Sequence, residues 1–427
     1  MLNRRGFIKS LSVLAAGTSL IGPPRTSLAG TGGGKGGHVV VIGGGYGGAT
    51  AAKYLRMWSQ GKVAVTLIER NPRFISCPIS NLVIGGVKTM ADITVGYDGL
   101  KSTWGVKIIQ DDVIGIDPIE RRVRLAQGGT IGYDRAVLAP GIDFMFDEVG
   151  GLAGHTERIP HAWKAGAQTV LLRKQLEAMP DGGVYAIQIP KAPYRCPPGP
   201  YERACLVADY FKTAKPKSKV IILDANDDIQ SKKGLFLHAF NSTYQNIIEY
   251  RPNSAILEVD ANNRVAKLEF DEVKADVLNV IPPMRAGDIA VRTGLPLIND
   301  RWVDVDWLTM EAKGVPGLHV LGDAIFPAPT MPKSGHMANQ HAKVATAAIL
   351  NLLANKAPNP TPVLMNTCYS FVDSKNAIHV ASVHQYDAEK RIFMPVDGAG
   401  GVSAAASELE GQYALGWAKN IWADMLA

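Results

Sequence analysis

The chain has 427 residues, of which 46% are apolar and 20% are charged. It is long and apolar enough to bury cores in two or three domains, which excludes a disordered or collagen-like protein. The formal net charge is +6, but four of the bases lie in the first 29 residues, which contain no acid, and the rest is nearly balanced. Because no basic stripe remains, we exclude a nucleic-acid-binding protein.

The first 29 residues have the pattern of a twin-arginine export signal. Arg4 and Arg5 precede an apolar run at residues 11–21 and a small-residue site at residues 27–29. The run is shorter than the roughly 20 residues that span a bilayer, so we expect no transmembrane span. An amphipathic first helix is the alternative interpretation. Since this route exports folded proteins, the signal predicts a periplasmic protein that acquires a redox cofactor before export.

Strand and helix patterns alternate along most of the chain, which predicts an α/β fold. We expect two Rossmann-like units, of the dinucleotide-binding type, followed by a C-terminal α+β domain. The predicted divisions are the signal at 1–29, a glycine-rich tether at 30–37, a first dinucleotide-binding domain at 38–150 and 276–355, a second Rossmann-like domain at 151–275, and a C-terminal domain at 356–427.

A glycine motif follows the first predicted strand, residues 38–42, and begins a predicted helix. Gly43, Gly45 and Gly48 have G-x-G-x-x-G spacing, which permits a tight turn, close approach of a pyrophosphate and close helix–sheet packing. Glu69 ends the next predicted strand, where an acid accepts hydrogen bonds from an adenosine ribose. Together these residues predict a dinucleotide site rather than a glycine-rich turn without a ligand.

Two later segments indicate that the dinucleotide is FAD. Residues 133–141, which include Ala139 and Gly141, resemble the strand that closes the FAD domain of two-dinucleotide flavoproteins. Residues 317–323 resemble their second FAD motif, and that resemblance implies that Asp323 holds the ribityl chain. We therefore expect FAD to bind at Ala139, Gly141 and Asp323 as well as at the glycine motif.

The second Rossmann-like unit lacks a glycine motif. Its predicted strand at 183–189 is followed by a loop with prolines at 190, 193, 197, 198 and 200, and then by a predicted helix at 204–211. Proline removes amide donors and stiffens the turn, the reverse of what a pyrophosphate requires. The sequence therefore predicts that NADH and NADPH are not the electron donors.

Cys77 lies in a Ser-Cys-Pro setting just after the strand that ends at Glu69. At this point the chain resembles the flavoprotein subunit of flavocytochrome c sulfide dehydrogenase, in the superfamily of sulfide:quinone oxidoreductase, over nearly all of the mature sequence. The resemblance implies that Cys77 forms a thioether with the flavin ring. A disulfide or a free thiol at Cys77 is the alternative.

The same resemblance implies that Cys196 and Cys368 form a redox-active disulfide over the flavin. A hydrosulfide ion can open a disulfide as any thiolate does, leaving one persulfide and one thiolate. The resemblance also gives Glu202 a catalytic role in moving protons. The alternatives are a structural disulfide between two domains and an exposed glutamate in the first turn of a helix.

Three further residues carry weaker signals. Cys205 lies in an apolar helix pattern, and we expect it to be a buried thiol without a role. Lys333 and His336 follow the second FAD motif and either approach the flavin or have a capping or surface role.

The chain has no C-x-x-C-H motif, so we expect haem only in a partner. The resemblance implies that sulfide is the substrate and that a c-type cytochrome subunit accepts electrons in a heterodimer. One alternative is a sulfide:quinone oxidoreductase, which docks on membranes through C-terminal amphipathic helices. Another is a flavin-binding redox scaffold without turnover. One C-terminal apolar stripe is more typical of packing on its own protein; its residues are Tyr413, Trp417, Ile421, Trp422 and Met425.

Overall fold

A computed structural model describes residues 36–427. The predicted export signal and residues 30–35 of the predicted tether lie outside the described residues. The observed architecture is α/β, as predicted: two parallel sheets flanked by helices are followed by an antiparallel sheet and a long helix.

The first sheet has five parallel strands, and its central strand is His38–Ile42. Val39, Val40 and Val41 are fully buried, as expected for a β-branched strand covered on both faces. The helix Tyr46–Trp58 follows this strand and packs against the helix Gly335–Leu353. In spatial order the strands are Leu318–Val320, Arg135–Leu138, His38–Ile42, Ala64–Glu69 and Lys107–Gln110.

The second sheet has four parallel strands: Ile248–Arg251, Lys219–Asp224, Val184–Ile189 and Val277–Val280 in spatial order. Val277–Val280 pairs with Val184–Ile189, so the second unit continues past residue 275. The predicted boundary at 275/276 is therefore wrong, because a single four-residue strand carries no signal that assigns it to one of two parallel sheets.

The C-terminal part is an antiparallel sheet of Val363–Phe371, Ala377–Asp387 and Ile392–Val402, followed by the helix Glu408–Leu426. Ile421 and Met425 of this helix are buried, and the Trp422 indole donates a hydrogen bond to the Tyr46 hydroxyl at 3.0 Å. The predicted apolar stripe therefore packs on its own protein, although Tyr413 at one end is 54% exposed.

Short elements connect these layers. The remaining strands are Phe74–Ile75, Thr94–Val95, Val113–Asp117, Arg122–Leu125, Thr130–Gly132, Ile142–Phe144, Glu258–Asp260, Val265–Lys267, Glu272–Lys274, Met284–Ala286, Leu297–Ile298 and Trp302–Val303. The remaining α-helices are Ser80–Ile84, Asp98–Ser102, Ala167–Ala178, Gly199–Ala214, Lys233–His238 and Asp288–Arg292. Within residues 36–427, every helix is too short or too polar to cross a bilayer.

Candidate active site

A cavity of about 320 Å³ opens beside the carboxyl ends of the strands of the first sheet. This is the position at which parallel α/β sheets bind ligands. Its wall combines the first sheet, the proline-rich loop of the second unit and the C-terminal sheet. The predicted site residues that line it are Gly45, Glu69, Cys77, Ala139, Gly141, Cys196, Glu202, Asp323 and Cys368.

The glycine motif forms a cradle at one end of this cavity. Gly43 has φ +94°, and a side chain at Gly48 would place its Cβ 1.7 Å from the Gly43 carbonyl oxygen. A Cβ at Gly45 would meet no atom of residues 36–427 within 4 Å. Gly43 and Gly48 therefore shape the turn, whereas Gly45 leaves open space that a dinucleotide phosphate can enter.

Glu69 lies at the edge of this cradle, at the end of its strand. Its carboxylate accepts hydrogen bonds from the Gly44 amide at 2.6 Å and from the Asn71 amide at 2.8 Å. The acid thus fixes the glycine turn while it lines the cavity, as a ribose-binding acid would.

Asp323 carries a buried carboxylate oxygen, Oδ1, with no hydrogen-bond partner among residues 36–427. Burial raises the pKa of this carboxyl, and the nearby charges of Arg195 and Lys333 oppose that shift. A buried acceptor without a donor costs about 1–3 kcal/mol. The carboxylate therefore suits a ligand that brings a hydroxyl donor, as the ribityl chain of FAD does.

Lys333 and His336 have different roles near the second FAD motif. The Lys333 side chain is 5% exposed, and its ammonium donates to the carbonyls of Asp323 and Ile325 and lies 3.6 Å from the centre of the Trp302 ring. Burial lowers the pKa of Lys333 to about 7. A surface role for Lys333 is therefore wrong. His336 lines the cavity and accepts a hydrogen bond from the Thr367 amide at 3.0 Å.

Cys77 lies on the cavity wall in the loop that precedes the helix Ser80–Ile84. The Ser80 hydroxyl donates to the Cys77 carbonyl at 2.6 Å, and the Ala165 amide donates to the Cys77 sulfur at 3.4 Å. The loop therefore holds a free thiol at the surface of the cavity.

The structure brings Cys196 and Cys368 to the same cavity from two different units. Cys196 has φ +59°, and its amide donates to the Lys333 carbonyl at 2.8 Å. The Cys368 sulfur accepts a hydrogen bond from the Asn366 amide group at 3.3 Å. Burial raises the pKa of both thiols, and they lie close enough that charge on Cys368 raises the pKa of Cys196 further. Both are free thiols in this structure.

Glu202 is buried at the junction of three units, so an exposed glutamate is wrong. Its carboxylate accepts hydrogen bonds from the Phe371 amide and from the Asn81 side chain, both at 2.8 Å. Burial raises the pKa of Glu202, although these hydrogen bonds and the charges of Lys232 and Arg203 oppose the shift. Its charge raises the pKa of Cys196, and both residues line the cavity.

Two buried cations near Glu202 are not predicted from the sequence. Arg203 is 1% exposed, donates to the carbonyls of His161 and Ala162, and lies 4.8 Å from the Trp163 ring centre. Lys232 is 7% exposed and contacts the Cys368 strand. Arg203 lies in a glutamate–arginine pair, and Lys232 lies in a Ser-Lys-Lys-Gly segment. Both patterns are typical of exposed surface, so no local signal identifies either residue.

Cys205 is fully buried in the helix Gly199–Ala214, as predicted. It packs in the apolar core of the second unit, and the cavity lining does not include it.

In the first sheet the cavity lies beside the carboxyl ends of the strands. In the second sheet the space at the same end is filled by side chains of the second unit. Asp224 ends the strand Lys219–Asp224 and is fully buried, and it accepts hydrogen bonds from the Tyr201 hydroxyl at 2.6 Å and the Tyr250 hydroxyl at 3.1 Å. Tyr194, from the proline-rich loop, is buried beside them. Asp224 stands where an acid would bind a ribose, but its carboxylate already accepts hydrogen bonds from tyrosine hydroxyls.

Three family models match successive parts of the chain. Residues 37–169 match the pyridine nucleotide-disulphide oxidoreductase family. Residues 169–282 match the central part of the sulfide dehydrogenase [flavocytochrome c] flavoprotein chain. Residues 360–426 match the flavin-binding part of flavocytochrome c sulphide dehydrogenase.

Individual proteins agree with these matches. The chain is 28% identical over 312 residues to the mitochondrial sulfide:quinone oxidoreductase of Mus musculus, covering 67% of this chain and 65% of that relative. It is 53% identical over 46 residues to the sulfide dehydrogenase [flavocytochrome c] flavoprotein chain of Chlorobaculum thiosulfatiphilum, covering 11% of this chain and 94% of that relative.

The fold is shared with solved oxidoreductase and reductase structures. The sulfide:quinone oxidoreductase of Aquifex aeolicus superposes with a TM-score of 0.76 at 20% identity over 91% of each chain. A putidaredoxin reductase, solved as a covalent complex with putidaredoxin, superposes with a TM-score of 0.65 at 16% identity over 90% of this chain and 93% of that one. By these sequence matches, the chain belongs to the flavoprotein-subunit family of flavocytochrome c sulfide dehydrogenase, within the sulfide:quinone oxidoreductase superfamily.

Proposed function

We propose that this protein is a periplasmic sulfide dehydrogenase flavoprotein that oxidises sulfide to sulfur or polysulfide at Cys196 and Cys368. FAD is tethered through Cys77, and a c-type cytochrome subunit accepts the electrons. The observation that carries the proposal is one cavity lined by all three of these cysteines, which come from separate parts of the chain. Membership in the family supports sulfide as the substrate.

The chain offers a fitting set of contacts for FAD. The open space at Gly45 suits the pyrophosphate, Glu69 the adenosine ribose, Asp323 the ribityl chain and Cys77 the flavin ring. When bound there, FAD supplies a two-electron acceptor beside the cysteine pair. A covalent tether would keep the cofactor in place during and after export.

The cysteine pair starts the proposed reaction as a disulfide. A hydrosulfide ion attacks one sulfur, the bond between Cys196 and Cys368 breaks, and its electron pair passes to the other sulfur as a thiolate. The attacked cysteine becomes a persulfide, which holds the sulfur atom from the substrate. Glu202 can accept the proton that the persulfide sulfur releases, because burial raises the pKa of its carboxyl.

Single cysteine substitutions test this reaction. Cys196→Ser and Cys368→Ser should each abolish flavin reduction by sulfide while the protein stays folded and loaded with flavin. The measurement is anaerobic stopped-flow absorbance after mixing with sulfide, together with thermal melting. Cys205→Ser is the matched control, since Cys205 is buried outside the cavity lining, and it should turn over normally.

A structural disulfide would behave differently. Its loss would lower stability by ~2–5 kcal/mol and leave much of the activity at low temperature. Sustained reduction by sulfide in either single variant of the pair would therefore rule out the proposed reaction. A wild-type protein whose flavin is not bleached by sulfide would instead favour a flavin-binding scaffold.

The electron acceptor is tested separately, because relatives of this chain include sulfide:quinone oxidoreductases. The matches to flavocytochrome c family models favour a cytochrome. Protein reduced with sulfide should be reoxidised faster by a soluble c-type cytochrome than by a short-chain quinone. Faster reoxidation by the quinone would overturn this part of the proposal.

Export is also testable. Replacing Arg4 and Arg5 together by lysine should hold the precursor in the cytoplasm, because the twin-arginine route requires the arginine pair. Immunoblots of periplasmic and cytoplasmic fractions measure the distribution. Unchanged appearance in the periplasm would contradict this route.

A further inference from the structure

A buried lysine lies beside the candidate cysteine pair. Lys232 precedes the helix Lys233–His238, in the left-handed conformation with φ +57°, and its side chain is 7% exposed. Its ammonium donates hydrogen bonds to the Cys368 carbonyl at 3.0 Å and to the Ser370 hydroxyl at 2.8 Å. The lysine of the second unit is thus fixed against the strand of the C-terminal sheet that carries Cys368.

Both of these hydrogen-bond partners are neutral, so neither balances the positive charge of Lys232. The charged or ionisable groups that face it at longer range are Cys368, Glu202, Cys196 and Glu410. Cys368 in turn faces Lys232 and Glu202, and its sulfur receives a hydrogen bond from the side chain of Asn366. A buried ammonium is costly unless a negative charge accompanies it for at least part of the reaction.

We propose that Lys232 is a positioning residue that holds a negative charge on the sulfur of Cys368, an inference that rests on the proposed function. Its ammonium, which belongs to the second unit, lies against the strand Val363–Phe371. The hydrogen bond to the Cys368 carbonyl fixes it there. Burial alone disfavours an anionic sulfur at this position, and the lysine opposes that penalty.

A negative charge reaches Cys368 whichever sulfur the hydrosulfide ion attacks. If it attacks Cys196, the disulfide bond breaks toward Cys368, which becomes a thiolate beside a Cys196 persulfide. If it attacks Cys368, Cys196 receives the electron pair as a thiolate, and the persulfide on Cys368 ionises by losing its proton to Glu202 or water. Lys232 faces an anionic sulfur species in both cases.

The ionisation of Lys232 sets the pH range of this effect. Burial lowers the pKa of Lys232 to about 8, and the charges of Cys368 and Glu202 oppose that shift. The ammonium therefore predominates below about pH 8, and its attraction for an anion on Cys368 is lost as the pH rises above that value.

The test measures the reactivity of Cys368 toward iodoacetamide in flavin-loaded protein whose cysteine pair is reduced. The rate is followed against pH by mass spectrometry of the Cys368 peptide. Loss of an opposite charge at short range raises a thiol pKa by about one unit or more. Lys232→Gln should therefore lower the alkylation rate near neutral pH by about tenfold, and Lys232→Arg should restore most of it.

Two comparisons keep the test decisive. Lys233→Gln is the matched control, since Lys233 is 55% exposed and pairs with Asp228, and it should leave the Cys368 profile unchanged. Glu202→Gln removes a negative charge that raises the Cys368 pKa, so it should shift the profile to lower pH. This opposite shift tests the electrostatics of the site even if Lys232→Gln does not fold.

If Cys368 in the wild type does not react with iodoacetamide, the same shifts are read from the pH profile of flavin bleaching by sulfide. Equal profiles in Lys232→Gln and the wild type would overturn the inference about Lys232 and leave the proposed function standing. A wild-type flavin that sulfide does not bleach would instead contradict the proposed function. The two failures can be told apart, because alkylation of Cys368 does not depend on turnover.

Discussion

The two Rossmann-like units use the same strand–turn–helix plan. In the first unit the glycine cradle is open to a ligand, whereas in the second unit the equivalent position, here called the filled cradle, holds Asp224 with Tyr201 and Tyr250. After His38–Ile42, glycines leave space at Gly45, and Asp323 has a buried oxygen without a hydrogen-bond partner in the described part of the chain. After Val184–Ile189, prolines replace the glycines, and tyrosines occupy Asp224. In the second unit the phosphate turn is thus replaced by a proline-rich loop that carries Cys196 into the cavity beside the first unit.

Adding a methyl group to the first cradle should have the largest effect. In Gly48→Ala the new Cβ would lie 1.7 Å from the Gly43 oxygen, so the helix cannot pack on the sheet. We expect a loss of about 3 kcal/mol in stability and no bound flavin. The measurements are thermal melting and the flavin-to-protein absorbance ratio.

Gly45→Ala is the matched comparison for this variant. A Cβ at Gly45 meets no atom of the described chain within 4 Å, so the fold should be preserved while flavin loading falls. Equal flavin loading in Gly45→Ala and the wild type would show that no dinucleotide phosphate enters this space.

Cutting the proposed tether should have the next largest effect. In Cys77→Ala only non-covalent contacts to the cofactor remain, so acid or denaturant should release all of the flavin. The visible spectrum of the acid-precipitated protein measures this. Yellow colour that stays with the denatured variant would contradict the assignment of Cys77.

Substitutions in the filled cradle should have smaller effects on stability than those in the first cradle. Tyr201→Phe removes a buried hydrogen bond to Asp224, and we expect a cost of about 1–3 kcal/mol in stability without a change in flavin reduction by sulfide. Chemical denaturation and stopped-flow absorbance measure the two quantities. Tyr250→Phe, whose hydroxyl is farther from Asp224 at 3.1 Å, should cost less. A large loss of sulfide oxidation in Tyr201→Phe would show that the hydrogen bonds at Asp224 matter for the reaction as well as for stability.

Local patterns predicted the open cradle, because glycine spacing and the strand before it are properties of adjacent residues. The helix Gly199–Ala214, in contrast, begins five residues before the predicted start at 204, since proline is tolerated in a first helical turn where its missing amide has no partner. That shift places Glu202 on a helix.

The rest of the site depends on contacts between distant segments. The pairing of Cys196 with Cys368 is predicted from a family resemblance, not from a local pattern. Lys232 is buried against the C-terminal sheet, and Asp224 accepts hydrogen bonds from Tyr201 and Tyr250 on other elements. Tertiary packing of this kind leaves no periodic signal in the sequence.

The most direct test of this account compares electron donors for the same flavin. Flavin-loaded protein is mixed without oxygen with sulfide, NADH or NADPH, and the visible flavin absorbance is followed in time. Because Cys196 and Cys368 line the cavity while tyrosines fill the second cradle, we expect rapid bleaching by sulfide and none at useful rates by either nucleotide. Rapid bleaching by NADH or NADPH, or a flavin that stays oxidised in sulfide, would contradict the account.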